Sequence, residues 1–147
     1  MIEKKRKPVF VDGPITPDFI AESISKHSTK HDIGAHSIFL GQVRNDEING
    51  KAVRAITYSA YAEMAEKALY DIREAAFEKF DLTCMHIYHS LGQVAAGEIC
   101  LFVFTSSKHR AAATEACSYL VERIKKEAAI WGKELFEDGN FSWKENN

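Results

Sequence analysis

Apolar side chains recur along this chain at two periods, and each period marks a kind of element. From Tyr61 to Phe80, the residues Met64, Ala65, Ala68, Leu69, Ile72 and Ala76 fall at helical spacing. Glu63, Glu66, Lys67, Glu74 and Lys79 occupy the rest of the circumference, so a long helix with one core face is predicted. A second stripe, Ala113, Ala116, Cys117, Leu120 and Ile124, predicts a helix that starts near Lys108, is capped by Ser106-Ser107 and runs out near Ala128. A shorter helix opens at Thr16-Pro17-Asp18, which supplies an N-cap, a proline at the first helical position and an acid facing the macrodipole. Its stripe is Phe19, Ile20 and Ile24, and it ends near His27.

The remaining segments read as strands. Ala35 to Val43 is followed by the turn-forming Asn45 to Gly50 and then by Ala52 to Tyr58, predicting a hairpin with a long polar tip. Thr83 to Ser90 and Ile99 to Thr105 form a second predicted hairpin, joined by a turn around LGQVAAGE; the later strand is apolar throughout and belongs at the centre of a sheet. Past Trp131 the chain is expected to break at Gly132, and ELFEDGNFSW to fold back at Asp138-Gly139. No repeat and no linker divides the sequence. The order predicts one α+β domain over residues 1–147, with a mostly antiparallel sheet, three helices and a flexible lead at residues 1–8.

Composition narrows the function. With 46% hydrophobic and 27% charged residues, 147 residues suffice for one core. A formal charge of -2 argues against a general nucleic-acid binder, and the only basic run, Lys4 to Lys7, stands at the terminus. That run has no apolar core behind it, and no later apolar run is long enough to cross a bilayer, so the cytoplasm is the expected compartment. Cys84, Cys100 and Cys117 lie in or beside apolar segments without C-x-x-C spacing, as expected of buried reduced thiols.

Two histidine pairs, His27 with His31 and His86 with His89, lack the context of a metal site. The second pair falls three residues apart on a strand and faces opposite sides. No metal is expected. Hydrolase, P-loop, dinucleotide and zinc-protease signatures are absent. Cations remain: Arg44 after an apolar strand, Lys108-His109-Arg110 at a helix start, and Lys125, Lys126 and Lys133 around Trp131 in IKKEAAIWGKE. Positive side chains at a helix N-terminus oppose the macrodipole unless an anion lies there, which points to a site for phosphate or carboxylate.

FLGQVRN (39–45), TYSAYAEMAEKAL (57–69), HSLGQVAAGE (89–98), SSKHRAAATEA (106–116) and IKKEAAIWGKE (124–134) together resemble, in the family's order, the large catalytic subunit of molybdopterin synthase. The resemblance implies an α/β-hammerhead type of fold and a homodimer with a small ubiquitin-like subunit at each end. It also implies sulfur transfer from that subunit's C-terminal Gly-Gly thiocarboxylate to cyclic pyranopterin monophosphate, with no metal or dissociable cofactor. By motif match Arg44, His109 and Arg110 would bind substrate, and Lys125 would be catalytic. Where the family reads Pro-Ile-Trp-Lys-Lys-Glu, this chain has Ala129-Ile130-Trp131-Gly132-Lys133-Glu134. A catalytic lysine position is therefore glycine, and Lys133 is the expected substitute. Ser90 replaces an arginine and Ser59 a glutamate. These departures leave a second reading, a relative that binds the small subunit or a phosphate ligand without turnover. Arg110 and Lys125 stand at opposite ends of one predicted helix, about 22 Å apart, so either there are two sites or the helix start of one protomer completes the pocket at the helix end of the other; the second option agrees with the homodimer that the resemblance implies.

Overall fold

The computed structural model describes residues 8–144. Strand β1 (Phe10–Asp12) leads into α1 (Pro17–Ser25), followed by β2 (Ala35–Gln42), β3 (Glu47–Ile48), β4 (Lys51–Ala60) and α2 (Ala62–Lys79). Then come β5 (Cys84–Ala95), β6 (Ile99–Ser107), α3 (Arg110–Glu127), β7 (Ile130–Phe136) and β8 (Phe141–Trp143). Six strands line up as β2-β6-β5-β4-β7-β8; β1 joins β5, the one parallel pairing among the described residues, and β3 joins β4. The α+β class, the antiparallel sheet and the three helices agree with the sequence pattern. Of the segment expected to be a flexible lead, residues 1–7 lie outside the described residues.

All three predicted helices form, with two corrections: Ser106 and Ser107 end β6 rather than cap α3, whose N-cap is His109, and Met64 and Ile24 of the expected stripes are exposed. Thr16 Oγ1 accepts the Phe19 N–H at 3.2 Å, capping α1, and Pro17 fills the first turn. The buried stripes Ala65, Leu69, Ile72 and Ala76 of α2, and Cys117, Leu120, Val121 and Ile124 of α3, join Leu101 and Val103 of β6 in the main core. On the sheet's other face Phe102 and Phe104 pack beneath Ile20 of α1 and Ile15, which precedes that helix. Strand β6 is thus apolar on both faces because both are covered, and it lies centrally as expected.

Three strand expectations are corrected. Ala35–Val43 and Ala52–Tyr58 do not form a hairpin: β2 pairs with β6, while β4 lies between β5 and β7. A strand apolar on both faces needs a neighbour on each edge, and β6 takes β2 and β5. The Asn49-Gly50 turn closes only the two-residue β3–β4 hairpin, with φ of 54° and 77°, the left-handed pair such a tight turn requires. The turn after Ser90 is also shorter than expected. Strand β5 continues to Ala95, pairing first with β6 and, beyond Gly92 at φ 86°, with β4. Gly132, finally, does not break the chain. It is the third residue of β7, hydrogen-bonded into the sheet opposite Tyr58. The terminal hairpin does turn at Asp138-Gly139, where Asp138 Oδ1 accepts the Asn140 N–H at 3.0 Å.

Candidate active site

Helix α3 carries expected site residues at both ends. His109 is its N-cap, without a side-chain capping bond, and Lys108, His109 and Arg110 are all exposed. Lys125 lies in the last turn, where a cation complements the macrodipole. Arg44 follows β2, and its guanidinium is 3.1 Å from the Asp46 carboxylate. The antiparallel register, Ala35 opposite Ser107 and Gln42 opposite Ile99, places Arg44 at the start of β6 and His109 past its end. Lys125 borders the start of β6 as well, beside Cys100 and Leu101. Within one chain, then, Arg44 and Lys125 share one end of the sheet, and His109 with Arg110 occupies the other.

At the Lys125 end a cavity of about 50 Å³ is lined by Tyr58, His89, Cys100, Lys125, Gly132 and Lys144, among others. His89 Nδ1 lies 2.8 Å from the Ser90 carbonyl, which can only accept, so Nδ1 carries the proton and Nε2 is a free base. Burial is the main force lowering the His89 pKa to about 4; the Lys125 charge adds to it and the Ser90 hydrogen bond opposes it. The Tyr58 ring meets this imidazole edge-on at 4.9 Å. Burial first, then the Cys100 thiol and Glu134, push the Tyr58 phenol well above its usual range. The cavity therefore combines a cation, a neutral imidazole and a neutral phenol, one group to hold negative charge and two to accept or donate protons.

Lys133 is not brought to this cavity. Along β7 the residues Ile130, Gly132 and Glu134 face inward, and the intervening Lys133 faces the other side, with its Nζ 3.8 Å from the centre of the Phe141 ring. The glycine before it does not let Lys133 swing into the vacant place, because both are held in regular strand pairing. His89, Tyr58 and Lys144 were not singled out as site residues in the sequence. The only signal for His89 was its place at the head of HSLGQVAAGE, and none existed for Lys144.

His27, His36 and His86 gather on the opposite face of the sheet, around Phe104. His86 turns away from His89, as the strand alternation requires, and its Nε2 lies 3.1 Å from that of His27. They border a cleft of about 330 Å³ under α1. Among the described residues no three His, Cys, Asp or Glu side chains are grouped to hold a metal. All three cysteines are buried free thiols.

A profile of the MoaE protein family matches residues 13–127. The chain belongs to the MoaE family. The molybdopterin synthase catalytic subunit of Pyrococcus abyssi is 35% identical over 130 residues, 88% of this chain and 86% of that protein. Its counterpart in Aspergillus fumigatus is 38% identical over 121 residues, 82% of this chain but 64% of the longer fungal protein. The crystal structure of molybdopterin synthase from Staphylococcus aureus superposes with a TM-score of 0.82 at 32% identity, covering 97% of this chain and 99% of that one. A complex of subunits 1 and 2 of molybdopterin-converting factor from Helicobacter pylori has the same fold, with a TM-score of 0.79 at 19% identity over 95% of this chain and 90% of that one. Two residues singled out in the sequence have visible structural settings. Gly132 leaves a bare backbone at the cavity wall. Ser90 is fully buried, and its hydroxyl has no hydrogen-bond partner among the described residues.

Proposed function

We infer that this chain is the catalytic subunit of a molybdopterin synthase, moving sulfur from the C-terminal thiocarboxylate of a small ubiquitin-like subunit to cyclic pyranopterin monophosphate. The observation that carries this reading, given the family, is the cavity in which Lys125 meets the unprotonated His89 and the neutral Tyr58. Both reactants are anionic. Arg44, His109 and Arg110 bind the phosphate and pterin substituents, and Lys125 holds the incoming tail and steadies the charge that develops on its acyl oxygen. Each transfer forms a carbon–sulfur bond to the pterin as a carbon–oxygen bond of the substrate breaks, the oxygen leaving on the opened phosphate ester or as water. Water then cleaves the acyl–sulfur bond and returns the tail as a carboxylate. His89 Nε2 is placed to take the proton of that water.

The active assembly is a homodimer with one small subunit at each end, each pocket combining Arg110 and His109 of one protomer with Lys125 and Arg44 of its partner. The separation of these groups along α3 supports the shared site. The reading places the reaction in the cytoplasm; among the described residues no helix is long and apolar enough to cross a membrane. Gly132 keeps a second reading open, a relative that binds the small subunit without turnover. Incubating the purified chain with thiocarboxylated small subunit and cyclic pyranopterin monophosphate, and following molybdopterin by mass spectrometry, separates the two. Product is expected, falling roughly 10²-fold in Lys125→Ala. A stable complex that makes no product would establish the second reading instead.

A further inference from the structure

We propose that Lys144 is the second cation of the Lys125 cavity, reaching across the terminal hairpin to stand over Gly132 and contact the terminal acyl group of the small subunit's tail. The inference rests on the sulfur-transfer reading for its ligand and on the hairpin for its geometry.

The register of β7 and β8 pairs Lys133 with Trp143, Glu134 with Ser142 and Leu135 with Phe141. One step further it brings Lys144 opposite Gly132, and the Lys144 N–H donates to the Gly132 carbonyl at 2.9 Å. Strand alternation then divides the side chains. Lys133, Phe141 and Trp143 share the outer face, whereas Gly132, Glu134 and Lys144 share the face that turns to the cavity. Lys144 lines that cavity together with Lys125 and His89.

The glycine is what makes room. A Cβ at position 132 would lie 3.0 Å from Ile56 Cγ2, 3.3 Å from Tyr58 Cε1 and 3.7 Å from Lys144 Cβ. Any side chain extending from there would compete with the Lys144 stem for the space above the strand. Without it, the stem crosses over bare backbone, and a cavity wall without a side chain of its own receives a positive one from twelve residues downstream. Because His89 is neutral there, the cavity's fixed positive charge comes from Lys125 and Lys144. Two ammonium groups suit a thiocarboxylate, which presents a sulfur and an oxygen sharing one negative charge. With Lys125 they bracket the acyl group, and Lys144 stabilises the oxyanion formed when water adds to the acyl–sulfur carbon.

The test uses the whole chain with its small subunit. Lys144→Met keeps the alkyl stem and removes the charge, Lys144→Arg keeps the charge, and Lys133→Met serves as the neighbouring control. Lys144→Met is expected to lower molybdopterin formation at least about tenfold, with Lys144→Arg closer to the parent and Lys133→Met within about twofold of it. In titrations, Lys144→Met should weaken binding of the small subunit about tenfold when its tail is complete and leave it unchanged when the two terminal glycines are removed. Equal effects on the two tails, no effect on either, or an Arg variant as impaired as the Met variant would each overturn the assignment. If the parent chain binds but forms no product, the sulfur-transfer reading fails while the titration still decides the role of Lys144.

Discussion

Arg110 and Lys125 open and close the same helix, α3, and so stand about 22 Å apart on one rigid rod. A substrate the size of a pterin phosphate reaches both only if each comes from a different protomer. The shared pocket proposed above has a genetic signature. In a mixed dimer of Arg110→Ala and Lys125→Ala chains, one pocket carries both defects and the other carries none. Dual-tagged mixed dimers should recover about half the parental turnover, although each homodimeric variant is inactive. Mixed dimers as inactive as their parents would place both residues in sites built within one chain.

His89 ties stability to pH. Its folded-state pKa of about 4 lies below the ordinary histidine value of 6.5, so the unfolded chain binds the proton more readily between those limits. The stabilisation is complete above about pH 6.5 and is lost as pH falls towards 4, a difference of ~3 kcal/mol. Burial and the neighbouring His27 lower the pKa of His36 too, adding in the same direction. Urea titrations at pH 7 and pH 4.5 should show the parent chain losing more stability than His89→Asn, whose side chain does not titrate.

Gly132→Ala tests the close contact at the cavity wall. The new methyl would press on Ile56 Cγ2 and Tyr58 Cε1 in the interior of the sheet, and both are held by packing. A loss of about 1–3 kcal/mol in urea denaturation is expected, with an unchanged slope. The backbone at 132 has an ordinary φ, so crowding alone produces the effect.

Ser90 offers the opposite case. Its hydroxyl is fully buried without a partner among the described residues, so removing it leaves no other polar group stranded. Ser90→Ala should melt at the same temperature as the parent or higher, with a gain of up to ~1 kcal/mol by thermal denaturation. A marked loss would reveal a hydrogen bond to the Ser90 hydroxyl in solution.

Local pattern by itself determined the helices, the central strand and the turns at Asn49-Gly50 and Asp138-Gly139. Ala65 to Ala76 and Ala113 to Ile124 are helical because a stripe at that spacing can be buried in only one way, and β6 is central because it has no polar face to give to water. The same sequence marked His109 and Arg110 as cations at a helix start that disfavours them, whereas Arg44 and Lys125 stood out only through the family resemblance. It did not reveal that β2 leaves β4 for β6, that Gly132 continues a strand, or that His89, Tyr58 and Lys144 converge on Lys125. A period records which side of an element is buried, and a turn motif which residues can bend. Which strand lies beside which is settled by filling both edges of β6 and both faces of the sheet at once. Only that long-range pairing decides that Lys133 faces away from the cavity while Lys144, twelve residues beyond Gly132, faces into it.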